Sequence, residues 1–145
     1  MSFTQTWLST YEDIDAIWAA NDTMGLGVIE ALKLEGLNGK ILTNGIDGIA
    51  AAYDAIIEGD LACTVANNGY LLMGYGAAYA YEAAVNGVTF DKPVIKTNAP
   101  LINAENVEEY KAMFITGKPD YDFSDLAFPV LSDYASFEEL AAAAE

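Results

Sequence analysis

The chain has 145 residues, of which 53% are apolar and 19% charged, the composition of an ordinary globular protein with one core and one domain. The net charge of −16, with six Lys and no Arg, argues against nucleic acid or an anionic membrane as a partner, because both require cationic side chains. The absence of His removes the commonest acid–base residue and the usual zinc ligand. We therefore expect no catalytic residue, no metal and no cofactor, and we expect Cys63 to act as a small core residue.

The N-terminal residues predict a helix and no targeting segment. The apolar side chains of residues 3–10 recur at helical spacing, which predicts an amphipathic helix. The first residues lack the basic and apolar regions of a signal peptide, and no stretch of the chain approaches the roughly 20 apolar residues that span a bilayer.

Three similar units follow, each a short apolar strand that leads into an amphipathic helix. The predicted strands are residues 16–20, 40–44 and 62–66, and the predicted helices run to about residues 35, 58 and 86. A glycine ends each helix, at Gly36, Gly59 and Gly87. Strands that alternate with helices predict an α/β fold, a three-layer arrangement in which helices flank a parallel sheet.

The pattern changes after Gly87. Short extended pieces are predicted at residues 94–96 and 100–102, and a helix is predicted from residue 103 or 104. Residues 117–132 are rich in Asp, Pro and aromatic residues, which predicts irregular structure, and a last helix is predicted over residues 136–145. No low-complexity linker divides the chain.

A polar side chain follows each of the three predicted strands, and these residues are the candidate binding site. They are Asn21, Asp47 and Asn67. Ligands of open α/β sheets bind outside the carboxyl ends of the strands, so the three side chains are expected to converge along one edge. Together they can accept and donate hydrogen bonds in the way that neighbouring sugar hydroxyls require, whereas a carboxylate would repel a phosphate.

Two purely structural roles, helix capping and core packing, are alternatives to ligand binding. Asn and Asp are common helix N-caps, and Asp22, Asp47 and Asn68 could cap the helices that they precede. Trp18 and Tyr70 could stack on a sugar ring, but large apolar residues in such runs usually belong to the core.

Three motifs resemble those of the C-terminal lobe of the type I periplasmic sugar-binding proteins, such as the ribose- and galactose-binding receptors of ABC importers. The motifs are DAIWAANDTMGLG at residues 15–27, GIDG at residues 45–48 and GDLACTVAN at residues 59–67. The resemblance covers roughly residues 14–110. It implies that Asn21, Asp47 and Asn67 hydrogen-bond a monosaccharide or similar polyol, and that the chain is not an enzyme.

The resemblance also implies a domain organisation. Residues 1–97 would be part of a C-terminal lobe, and residues 98–145 a crossover segment and a helical tail, with residues 94–100 as the last crossover. The N-terminal lobe and the first strands of the C-terminal lobe have no counterpart here. The full-length parent would be periplasmic, or extracellular and membrane-anchored, and would deliver its sugar to the membrane subunits of an ABC importer.

Three strands without their neighbours would leave an exposed sheet edge, which predicts self-association through that edge. Two other functions are considered. The effector-sensing half of a bacterial transcription regulator has the same fold, although no basic helix-turn-helix is present. A small flavodoxin-like enzyme would need a phosphate-binding or cofactor-binding loop, and no such loop is found.

Overall fold

A computed structural model describes residues 2–67, 69–89 and 99–116. Its contacts divide the chain into two units, residues 1–67 with 99–119 and residues 68–98 with 120–145. No helix within the described ranges combines the length and the apolar character that crossing a bilayer demands. The predicted extended piece at residues 94–96, the irregular stretch at 117–132 and the helix at 136–145 lie outside the described residues.

Helices and strands alternate along most of the described chain. In chain order they are α1 (Ser2–Thr10), β1 (Ala16–Ile17), α2 (Asp22–Leu34), β2 (Leu42–Ile46), α3 (Ala50–Ile57), β3 (Cys63–Val65), α4 (Gly69–Val85), β4 (Leu101–Asn103) and α5 (Val107–Lys111), which continues into a π-helical segment (Ala112–Thr116). The glycines predicted to end helices, Gly36, Gly59 and Gly87, follow α2, α3 and α4 and have φ of 65°, 81° and 67°.

The described strands form one sheet in the order β1-β2-β3-β4, which confirms the predicted α/β fold. β1 pairs with β2 and β2 with β3 in parallel, whereas β4 runs antiparallel to β3 with Ile102 opposite Thr64. The extended piece predicted at residues 100–102 is thus a strand of this same sheet. Because β1 to β3 are parallel, their carboxyl ends meet at one edge.

The second strand begins two residues later than predicted. The backbone N–H groups of Lys40 and Ile41 donate to the carbonyl of Leu37 at 3.1 and 3.3 Å, so residues 37–41 form a turn. β2 therefore covers Leu42–Ile46. This shift places Asn44 inside the strand and Asp47 directly after it.

The core lies on one face of the sheet, between the strands and helices α2, α3 and α5. Side chains that alternate along the strands point into it, and the buried ones are Ile17, Thr43, Thr64 and Ile102. On the opposite face Leu42 is 60% and Leu101 54% exposed. Two clusters make up the core, one centred on Ile29, Tyr53, Ile56 and Leu61, the other on Ile17, Val28, Leu32 and Ile41.

A glycine lets α2 run close to β2. A Cβ atom at Gly25 would lie 2.7 Å from the backbone oxygen of Asn44, which is closer than real Cβ contacts allow. The start of α2 is thereby held against the sheet. This contact positions Asn21 and Asp22 beside the end of β2.

The last described helix begins later than residue 103 or 104. Asn103 belongs to β4, and the Asn106 side chain ties the turn that follows, accepting from Asn103 N at 2.9 Å and donating to Leu101 O at 3.0 Å. The predicted domain boundary between residues 97 and 98 falls in an undescribed range and stays a prediction. β4 and α5, which follow it, belong to the same unit as β1 to β3.

Within the second unit, α4 covers Gly69–Val85 and agrees with the predicted helix. At the carboxyl end of α4, the backbone carbonyl of Glu82 accepts hydrogen bonds from Asn86 N and Val88 N at 3.1 Å each. The Asn86 side chain also donates to Glu82 Oε2 at 2.8 Å.

Candidate ligand-binding site

The three candidate residues follow three neighbouring parallel strands. Asn21 lies in the connection from β1 to α2, Asp47 comes directly after β2, and Asn67 comes two residues after β3. All three are half-buried. They therefore lie along the carboxyl edge of the sheet, which we call the rim.

Asp47 and Asn67 are in direct contact. The Asn67 amide nitrogen donates to Asp47 Oδ1 at 3.2 Å, and the Asp47 backbone N–H donates to the Val65 carbonyl at 2.9 Å. Asn67 Oδ1 is buried without a hydrogen-bond partner among the described residues. The structure thus joins two of the three candidates into one polar pair.

Asp47 has a strained backbone. Its φ of 132° falls in the region that favours glycine, and no other non-glycine residue in the described ranges has a positive φ. Such conformations cost free energy and persist where the surrounding structure enforces them, often at ligand sites.

Asn21 caps helix α2. Its backbone is extended, with φ of −155° and ψ of 171°, and its side-chain oxygen accepts from Met24 N at 2.8 Å. The amide nitrogen has no partner among the described residues and is left as a donor at the rim. Asn21 makes no direct hydrogen bond to Asp47 or Asn67, which are both described, so its link to them runs through the next residue.

Asp22 has contacts that the sequence did not predict. The sequence allows Asp22 to cap its own helix, but Asn21 is the N-cap of α2 and the buried Asp22 carboxylate contacts the loop before α3 instead. There Oδ2 accepts from Gly48 N at 2.8 Å and from Ile49 N at 2.9 Å, and Oδ1 accepts from the Thr64 hydroxyl at 2.5 Å. A charged residue at the end of an apolar strand was the available signal.

The capping interpretation is wrong for Asp47. The N-cap of α3 is Ile49, which has no side-chain capping bond, and the nearby N–H groups are satisfied by Asp22 instead. Asn68, the third residue considered as a cap, lies outside the described residues.

Asn44 completes the edge of the sheet where β1 stops. Its Oδ1 accepts from Ala19 N at 3.0 Å and its Nδ2 donates to Ala19 O at 3.2 Å. The side-chain amide thus makes the two hydrogen bonds that a neighbouring strand would otherwise make to the backbone of the buried Ala19. It fixes the connection that leads to Asn21.

Two titratable side chains of the same unit, Tyr53 and Cys63, have perturbed pKa values. Burial raises the pKa of Tyr53, and the charges of Asp22 and Tyr110 raise it further. The Tyr53 hydroxyl is buried without a partner among the described residues. Burial also raises the pKa of half-buried Cys63, which keeps the thiol protonated and a poor nucleophile.

Trp18 is not a core residue, contrary to expectation. Its side chain is 72% exposed and lies on a shallow groove of about 360 Å³ between α1 and α2, lined mainly by Phe3, Trp7, Ile17 and Met24. The side chain of Tyr70 lies outside the described residues. Within the described ranges, no group of three Asp, Glu or Cys residues could hold a metal ion.

The sequence is similar to those of known sugar-binding and polyol-binding proteins. The chain is 36% identical over 109 residues to a xylitol-binding protein of Mycolicibacterium smegmatis, a match that covers 72% of this chain and 29% of that protein. It is 45% identical over 56 residues to the D-allose-binding periplasmic protein of Escherichia coli, covering 39% of this chain and 18% of that protein. The chain thus spans less than a third of the length of these curated relatives.

The fold is also similar to that of solved structures. A twin-arginine translocation pathway signal protein from Burkholderia phytofirmans superposes with a TM-score of 0.79 at 27% identity, over 94% of this chain and 43% of that one. A periplasmic solute-binding protein of an ABC transporter from Actinobacillus succinogenes, with bound D-allose, gives 0.69 at 26% identity, over 75% and 37%. Residues 1–89 match the family described as periplasmic binding protein domain. The chain belongs to the periplasmic binding protein family.

Proposed function

We propose that this chain supplies one side of a sugar-binding site, in which Asn21, Asp47 and Asn67 hydrogen-bond the hydroxyl groups of a monosaccharide or similar polyol. The observation that carries the proposal is the 3.2 Å bond between Asn67 and Asp47 at the carboxyl edge of the sheet. The relatives named for xylitol and D-allose support this ligand class.

The free atoms of the rim suit hydroxyl groups. Asp47 keeps acceptor capacity beyond its bond to Asn67, and the amide groups of Asn67 and Asn21 keep N–H donors. A sugar hydroxyl both donates and accepts, so one hydroxyl can donate to Asp47 while it accepts from an amide. The −16 charge of the chain adds to the preference for a neutral ligand over an anion.

The complete receptor would enclose the sugar between this surface and a second lobe. Affinity for small ligands depends on burying most of their surface, so the 145-residue chain alone is expected to bind weakly. In its full-length form we propose a receptor that acts in the periplasm and delivers sugar to the membrane subunits of an ABC importer. A transcription-regulator function is not favoured, since the relatives are transport proteins.

The test is a titration of the chain with xylitol, D-allose, D-ribose and D-xylose, followed by NMR at millimolar sugar. We expect Asp47→Asn and Asn67→Ala to weaken binding at least tenfold, which corresponds to about 1.4 kcal/mol. Binding by none of the four compounds, or binding by Asp47→Asn equal to that of the wild-type chain, would contradict the proposal.

Matched controls are available away from the rim. Asp54→Asn removes an exposed carboxylate whose contact is Lys111, and Asn38→Ala removes an amide that bonds Asp60. Both controls should bind sugar within twofold of the wild-type chain.

We also propose self-association through the edge of β1. β1 pairs with β2 on one side. The exposed Trp18 directly follows β1, and the exposed Leu42 lies on the face of β2 opposite the core. Sedimentation velocity should show a concentration-dependent dimer, and a monomer at the highest soluble concentration would refute the idea.

A further inference from the structure

One buried carboxylate connects the three segments that carry the proposed sugar-binding residues. Asp22 has no exposed surface and accepts hydrogen bonds from Gly48 N, Ile49 N and Thr64 Oγ1 at 2.8, 2.9 and 2.5 Å. We infer that Asp22 is a positioning residue, which holds the rim in its ligand-binding arrangement before the ligand arrives. The inference rests on the proposed function of the rim.

Each of these bonds acts close to a proposed ligand contact. Asp22 directly follows Asn21, and Gly48 directly follows Asp47, so the bond from Gly48 N to Asp22 fixes two neighbouring backbone segments. Thr64 lies three residues before Asn67 on β3. The carboxylate therefore sets the distances among all three rim residues without itself facing the ligand.

The strained backbone of Asp47 explains why the hydrogen bonds to Asp22 are needed. A φ of 132° is unfavourable for a residue with a side chain, and a free loop would relax out of it. The two bonds to Asp22, together with the bond from Asp47 N to Val65 O at 2.9 Å, hold the loop in place. Preorganisation of this kind lowers the ordering cost of binding.

The sheet leaves room for the carboxylate at one position. A Cβ atom at Gly45 would collide with Asp22 Oδ1, so β2 accommodates the buried group only because glycine stands there. The site is thus built around the carboxylate.

The experiment compares Asp22→Asn with a second buried carboxylate, Asp60→Asn, in the 145-residue chain. Asp60 is 8% exposed and accepts from Asn38 at 2.8 Å and Lys33 at 2.9 Å, but it precedes β3 and so lies at the opposite edge of the sheet from the rim. Two readouts are taken, hydrogen exchange of the Gly48 and Ile49 amides without sugar, and affinity for whichever of the four test sugars binds the wild-type chain tightest.

For Asp22→Asn we expect at least tenfold faster exchange at Gly48 and Ile49 and at least tenfold weaker sugar binding. Asp60→Asn should leave both readouts within twofold, even where its loss of global stability is as large. Unchanged protection of Gly48 and Ile49 in Asp22→Asn, or equal sugar affinity of the two variants, would overturn the positioning role. Failure of the wild-type chain to bind any test sugar would refute the proposed function instead, and the exchange measurement would still decide whether Asp22 holds the loop.

A milder pair of substitutions covers the case in which Asp22→Asn does not fold. Thr64→Val removes one bond to Asp22 with little change in shape, and Thr43→Val makes the same change at a buried hydroxyl that has no partner among the described residues. We expect Thr64→Val to speed exchange at Gly48 and Ile49 at least threefold and Thr43→Val to leave it unchanged. Equal exchange in the two valine variants would refute the inference.

Discussion

Replacing Asp47 by glycine should give a more stable protein than replacing it by alanine. Both substitutions remove the hydrogen bond from Asn67, so that loss cancels in the comparison. Alanine keeps a side chain at φ of 132°, and a strained backbone of this kind costs about 1–3 kcal/mol. Glycine relieves the strain but costs about 0.5–1 kcal/mol in chain entropy. The net expectation is about 1 kcal/mol in favour of glycine.

Urea denaturation of the two variants measures this difference directly. A 1 kcal/mol change corresponds to about 4 °C in Tm for a chain of this size. The matched control is Asp54, an exposed residue inside α3, where alanine should be the more stable replacement by about 1 kcal/mol. If Asp47→Ala were as stable as Asp47→Gly, the strain at Asp47 would be refuted. Both Asp47 variants should lose sugar binding.

Three further predictions concern single side chains elsewhere in the fold. Asn44→Ala should lower the free energy of unfolding by about 1–3 kcal/mol in urea denaturation, because it leaves the buried backbone groups of Ala19 without partners. Tyr53→Phe should be neutral or slightly stabilising, since the removed hydroxyl has no partner among the described residues, and a loss above about 1 kcal/mol would contradict this. Hydrogen bonds from Asn38 and Lys33 hold the pKa of Asp60 below its ordinary value, so the ionised group stabilises the fold above that value. In urea denaturation at a series of pH values, the wild-type chain should therefore lose its stability advantage over Asp60→Asn as the pH falls below about 4. An advantage that does not change with pH would refute the stabilising role of the ionised Asp60.

The local signals in the sequence predicted the alternation of helices and strands because they depend on neighbouring residues. The helical spacing of residues 3–10 gave α1, and Gly36 and Gly59 marked the ends of α2 and α3. The order of these elements was sufficient to predict parallel pairing of β1 to β3.

Boundaries depended on contacts that no local pattern contains. The turn at residues 37–41 delayed β2, because the Lys40 and Ile41 N–H groups found a partner in Leu37. Trp18 resembled a core residue by its apolar neighbours, yet it follows the end of β1 at the groove between α1 and α2 and is 72% exposed.

The sequence by itself determined that polar residues follow three successive strands, since strand ends and turn residues are local features of the chain. Only the tertiary structure decided that Asp22 is the residue that joins them, because its partners lie 26, 27 and 42 residues further along the chain. A buried carboxylate must find hydrogen-bond donors wherever the fold brings them, and the identity of those donors follows from packing and not from sequence spacing.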